Sequence, residues 1–169
     1  KGSDRFSLAV LLFMLFYGNH PFEGDKVLQC PCLTEKYEKK FYGSEILFIY
    51  DEKNSSNRPV RGVHRNVIRR WPVYPAILRN AFVEEFTQEK LKDPNKRSIE
   101  KKWQNVIRSL RDMLVVCPRC KEETFVTDSQ SPKCMNCGAA MQIAGGIQLQ
   151  NRTVWLTPGT VFYLGYDNV

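Results

Sequence analysis

The chain has 169 residues, 43% hydrophobic and 25% charged, enough for one medium domain or a helical body with a small satellite. No signal-peptide pattern opens it and no apolar run is long enough to cross a bilayer, so a soluble, cytoplasmic protein without a membrane partner is expected. The formal net charge of +7 is concentrated in one place: no acid lies between Glu52 and Glu84, where Lys53, Arg58, Arg61, Arg65, Arg69, Arg70 and Arg79 supply the whole surplus.

The first element is a helix. Ser3 and Asp4 give a helix-start signal, Leu8 to Tyr17 are ten consecutive apolar residues, and Gly18 with Pro21 ends the run. An apolar stretch of that length suits a helix buried on all sides at the centre of a globule. It begins at residue 4, so part of its surroundings is expected to lie N-terminal to Lys1. Gly18 to Cys32 reads as a loop. A short helix is predicted over Leu33 to Phe41, with Thr34 as its cap and Leu33, Tyr37 and Phe41 on one face. Ile46 to Tyr50 is β-prone but brief and isolated, which predicts an extended segment lying on the helical body. Asp51 to Gly62 is turn-rich.

Pro75 introduces a helix to about Phe86. Asp93-Pro94-Asn95 then breaks the chain, and Ser98 caps a helix whose apolar stripe is Ile99, Trp103, Val106, Ile107, Leu110 and Leu114. Past residue 115 the pattern changes to short alternating strands. Thr157-Pro158-Gly159-Thr160 is a type II turn signal, predicting a hairpin between Thr153–Leu156 and Val161–Leu164. The expected fold class is mainly α, with a small β ribbon and a β-hairpin tail. The expected domains are a helical one over 1–115 and a β one over 116–169.

The cysteines carry the clearest chemistry. Cys117-Pro-Arg-Cys120 and Cys134-Met-Asn-Cys137 are separated by thirteen residues. Each pair on a tight turn offers two sulfurs to one ion, and two such turns complete a tetrahedron with Zn–S bonds of about 2.3 Å. Gly138 falls where such a turn needs positive φ. A redox Cys-x-x-Cys site would need one motif at a helix start within a βαβ unit, and no such unit is present. A zinc ribbon is therefore predicted, its four thiolates closing the coordination shell, so that the metal is structural. Such ligands need a reducing compartment. Cys30-Pro31-Cys32 has the wrong spacing for a zinc turn and reads as two buried or half-buried thiols.

The basic segment leaves two readings open. Arg58, Arg61, Arg65, Arg69 and Arg70 could dock phosphate, nucleic acid or an acidic protein. Alternatively, they pair with Glu35, Glu38, Glu84, Glu85 or Glu89, or face water.

Two motifs resemble eukaryotic-type Ser/Thr protein kinases. Asp4-Arg-Phe-Ser-Leu-Ala-Val with the later Gly18-Asn-His-Pro21-Phe resembles the central helix of the kinase C-terminal lobe. Asp93-Pro-Asn-Lys-Arg97-Ser98 resembles the late Asp-Pro-x-x-Arg motif, although Ser98 stands where the family has Pro. The sequence between them and the four-cysteine ribbon are similar to one bacterial kinase group, encoded beside a von Willebrand A-type protein and a phosphatase.

This resemblance implies a partial kinase C-lobe followed by a zinc ribbon. Asp4 would match the Asp that holds the catalytic loop, and Arg97 the Arg that pairs with the Glu of Ala-Pro-Glu. Both of those partners would lie upstream, so Arg97 would need another acid or water.

No Gly-x-Gly-x-x-Gly loop, Val-Ala-x-Lys strand or Asp-Phe-Gly is present. His64-Arg65-Asn66 lacks the catalytic Asp and follows the central helix, which a catalytic loop must precede. The chain alone is therefore expected to be non-catalytic, with ATP and Mg2+ used only by a complete parent kinase. The surface around Phe22 to Phe41 and the basic segment would dock protein substrates or regulators. The alternative is a stand-alone zinc-ribbon module contacting nucleic acid or protein through its basic segment.

Overall fold

The computed structural model describes residues 2–32, 34–126, 132–149, 152–159 and 161. They form a mainly helical chain with two small antiparallel sheets of two strands each. The chain divides into two compact units, Lys1–Trp103 and Gln104–Val169.

In the first unit α1 spans Gly2–Tyr17. Ala9, Phe13 and Tyr17 recur every fourth residue and form its buried face. Phe13 is the hub of the core, with the rings of Tyr17, Phe82, Phe48, Phe86 and Trp71 centred 4.8 to 6.3 Å away. The expectation of burial on all sides is not met. Leu11, Met14 and Leu15 are 63, 43 and 72% exposed among the described residues, because they lie on the side of the helix turned away from Phe13. Gly18 ends α1 at φ +64, its amide bonded to the Met14 carbonyl, and Arg70 donates to the Phe16 carbonyl at 3.3 Å.

Short helices follow: α2 (Asp25–Leu28), α3 (Glu35–Lys39) running into a π turn at Lys40–Ser44, and α4 (Arg65–Arg70). Neither α2 nor α4 stands out in the sequence, since one turn of helix carries little periodicity. Thr34 occupies the cap position of α3 without a side-chain bond, while Tyr37 and Phe41 stack at 6.0 Å as their spacing predicts. Leu33 lies outside the described residues.

The β-prone run is extended and not in a strand. Leu47, Phe48 and Ile49 are buried, and side chains take the place of a ladder. Asn57 donates to the Leu47 carbonyl, Arg58 to that of Ile49 and Gln88 to that of Ile46. Buried Asn57 also donates to the Phe22 carbonyl and accepts the Lys26 amide. Its own backbone passes so close to Gly24 that a Cβ there would stand 2.0 Å from the Asn57 carbonyl oxygen. Only glycine fits.

Helix α5 (Ala76–Glu85) has Pro75 at its N-cap, α6 (Gln88–Lys92) is capped by the Thr87 hydroxyl, and Asp93 caps a 3-10 turn at Pro94–Lys96. Ser98 is not the helix cap its position suggested. Its amide donates to both carboxylate oxygens of buried Glu85 at 3.1 Å, and its hydroxyl receives the Lys90 ammonium at 3.1 Å.

Helix α7 (Glu100–Asp112) carries the expected stripe in narrowed form. Trp103, Val106 and Leu110 are buried, whereas Ile99 and Ile107 are 48 and 40% exposed and Leu114 has passed into a strand.

In the second unit β1 (Leu114–Val116) pairs antiparallel with β2 (Glu123–Phe125), in a register that sets Val115 opposite Thr124. β3 (Gly145–Leu149) pairs with β4 (Arg152–Leu156), Ile147 opposite Val154. Residues 153–156 thus pair with the preceding strand, a hairpin the turn signal did not predict. Of the partner first expected, Val161 is exposed and outside any strand, and 162–164 lie outside the described residues. Gly159 has the positive φ, +83°, that the turn signal called for. Among the described residues no helix is long and apolar enough to cross a membrane.

Candidate metal centre

Two turns of matching construction present the four cysteines. In the first, the Cys117 amide donates to the Glu122 carbonyl and the Lys121 amide to the Cys117 carbonyl, both at 2.9 Å. In the second, the Cys134 amide donates to the Ala139 carbonyl at 2.8 Å and the Gly138 amide to the Cys134 carbonyl at 2.9 Å. The fifth residue of each turn is left-handed, Lys121 at φ +64 and Gly138 at φ +69. The Cys117 turn joins β1 to β2. The other is closed by a bridge between Lys133 and Ala140 and tied to β2 where the Met135 amide donates to the Thr124 hydroxyl at 3.0 Å.

The four sulfur atoms all lie within 4.8 Å of one another. Across the turns, Cys117 and Cys137 are 3.7 Å apart and Cys120 and Cys134 3.6 Å. None is in a disulfide. Tetrahedral thiolates with metal–sulfur bonds of about 2.3 Å stand about 3.8 Å apart, close to the two separations across the turns, so the four sulfurs could hold a single metal ion. Cys117 and Cys134 are buried among Val115, Val126 and Met141, with Ile143 and Trp155 packed on this small core.

The backbone is arranged for thiolate. The amide of Glu122 leads in holding Cys120 down to about 6, and those of Cys120 and Arg119 lower Cys117. At Cys137 the Ala139 amide also acts downward, but burial and the neighbouring thiols outweigh it and push the group up to about 11. Four sulfurs this close cannot all ionise without a cation among them. A bound metal removes that conflict.

The remaining sequence-derived candidates do not join this cluster. Asp4 sits in the exposed first turn of α1, where a carboxylate suits the helix dipole. Arg97 is half-buried and pairs with no acid among the described residues. It donates to the carbonyls of Gly2, Leu91 and Lys90, with its guanidinium 5.0 Å from the Phe6 ring centre.

The arginine segment divides in two. Arg58 is spent on the Ile49 and Asp51 carbonyls, and Arg70 on that of Phe16. Arg61, Arg65 and Arg69 are exposed, with Arg65 bonded only to the nearby Gly62 carbonyl. No ion pair joins any of the five to an acid among the described residues. Four of the five candidate acids are held by lysines: Glu35 by Lys39, Glu84 by Lys90 and Lys102, Glu85 by Lys90, and Glu89 by Lys96.

His64 is buried, its Nδ1 accepting the Val60 amide at 2.9 Å, which is a structural use of the ring. Cys30 is half-buried and Cys32 exposed, so the second of these thiols is more open than expected. The Glu85–Lys90–Ser98 network gave no signal in the sequence beyond an ordinary Glu on an amphipathic helix.

No protein-family model, curated protein or solved structure matches the chain.

Proposed function

We propose that Cys117, Cys120, Cys134 and Cys137 hold one structural Zn2+ that folds a ribbon, and that the helical unit is a docking part of a Ser/Thr-kinase-like protein. The approach of four sulfurs to within 4.8 Å carries the metal reading. Four thiolates leave no open position for substrate or water, so the ion organises the fold and does no catalysis. Among the described residues the buried cluster around the sulfurs has five members, two of them ligands, so the ribbon draws much of its folding free energy from the metal. Tetrahedral sulfur also suits iron.

The kinase-like part of this reading rests on the two sequence motifs and on the role of Arg97 in tying the late motif to the start of the central helix. The docking role rests on Arg61, Arg65 and Arg69, three exposed cations beside exposed Val63. Arginine next to apolar surface is the composition of a protein-binding patch, and the partner chemistry it fits is an acidic protein segment.

Elemental analysis of the purified chain tests the metal reading. About one zinc per chain is expected, with loss of ribbon structure on chelation; a folded, metal-free ribbon overturns it. For docking, fluorescence anisotropy with a labelled Glu/Asp-rich peptide should show salt-sensitive binding that R61E/R65E/R69E abolishes. Preference for labelled single-stranded DNA would instead make nucleic acid the partner. For the kinase reading, the coding sequence upstream of Lys1 should encode His-Arg-Asp and Asp-Phe-Gly, and a start codon there would sink it.

A further inference from the structure

Outside the metal cluster lies one further pair of thiols. Cys30 and Cys32 flank Pro31 between α2 and α3, and neither is in a disulfide. Cys32 is exposed and Cys30 half-buried. The Cys30 thiol is turned along the chain toward residue 32, donating to the Cys32 carbonyl at 3.2 Å. That carbonyl also accepts the Thr34 amide at 3.0 Å, which holds it in place.

Residues two apart are separated by at most about 7 Å of extended chain, and the backbone bends at Pro31 and Cys32. A bent chain two residues long can bring the pair into the Cα separation of about 4.4–6.8 Å that a disulfide requires. Pro31 fixes its own φ, so little chain entropy is lost on closing the ring. A ring this small is strained, and strained, exposed disulfides are the readily reduced kind.

We propose that Cys30 and Cys32 form a reversible dithiol site whose reaction partner is a low-molecular-weight disulfide of the glutathione type. The exposed Cys32 thiolate attacks one sulfur of the disulfide, forming a mixed disulfide and releasing one thiolate, which takes up the proton Cys32 gave. The Cys30 thiolate then attacks the Cys32 sulfur, closing the Cys30–Cys32 bond and expelling the second small thiol. Two protein thiols are oxidised and one small disulfide is reduced to two thiols. Cys117 and Cys134 stay out of this exchange because they are buried.

The test uses the full zinc-loaded chain and glutathione disulfide, read by intact mass and peptide mapping after alkylation. The expected product has lost two hydrogen atoms, both from the segment holding Cys30 and Cys32, and dithiothreitol restores them. Cys117, Cys120, Cys134 and Cys137 should all be alkylated once chelator and denaturant are added. C30S lacks the resolving thiol and should accumulate a stable single-glutathione adduct at Cys32. The wild-type chain accumulating that same adduct overturns the proposal. So does a disulfide from either thiol to the metal cluster, or no reaction at Cys32.

Discussion

Arg97 and Gly2 are joined across 95 positions of sequence by a hydrogen bond of 2.7 Å from Nη1 to the Gly2 carbonyl. The same guanidinium reaches the carbonyls of Leu91 and Lys90 and lies over Phe6. One side chain therefore ties α1 to the chain break that precedes α7.

Replacing Arg97 by Lys keeps the charge and loses the planar fork that serves three carbonyls. R97K should cost about 1–2 kcal/mol and R97A about 3 kcal/mol, as hydrogen bonds to a charged group are lost and carbonyls are left without a partner. Urea unfolding followed by tryptophan fluorescence measures both. Equal, near-zero losses would show that the guanidinium geometry contributes nothing.

The matched cysteine turns give a second expectation. Lys121 and Gly138 occupy equivalent left-handed positions, and a side chain there costs about 1 kcal/mol relative to glycine. K121G should therefore stabilise the metal-loaded ribbon by about that amount. G138A should destabilise it similarly through the backbone alone, since a Cβ at 138 meets nothing within 4 Å. Thermal unfolding of the second unit under saturating zinc reads both, and shifts of the same sign would contradict the equivalence.

These turns also mark what was legible in the sequence. Cys117, Cys120, Cys134, Cys137 and Gly138 declare themselves because ligand spacing and turn chemistry are local. Helix α1 follows from its apolar run and its start and stop signals, and α5 and the Trp103–Leu110 face of α7 from helical spacing, all of them local. The β-prone run at Ile46–Tyr50 is the extended segment its brevity and isolation predicted, but its partners Asn57, Arg58 and Gln88, nine to 42 positions away, were not announced by any pattern. The exposed half of α1 went unforeseen because an all-apolar run does not say which side is covered. Glu85 looked like a surface acid. Its burial is set by Ser98 and Lys90, partners that no pattern in α5 announces.

His64 makes stability depend on pH. Burial holds its pKa below the ordinary 6.5, against smaller opposing effects of the Glu23 carboxylate, the Val60 backbone and the Asp25 carboxylate. The unfolded chain then binds the proton more readily, so this contribution is fully present above about 6.5 and is lost as pH falls toward the folded value. H64N keeps an acceptor for the Val60 amide and does not titrate. Comparing urea midpoints at pH 7.5 and 5.5, the wild type should lose more stability than H64N. His20 is lowered in the same direction, also mainly by burial, and contributes equally to both chains. An identical pH dependence would remove His64 as the cause.

The four-sulfur centre is tested most directly by X-ray absorption at the zinc edge of the purified, metal-loaded chain. A single shell of four sulfurs at about 2.3 Å is expected, with no nitrogen or oxygen neighbour, and its loss in C117S/C134S. A shell containing nitrogen or oxygen, or zinc retained unchanged in that variant, would contradict it.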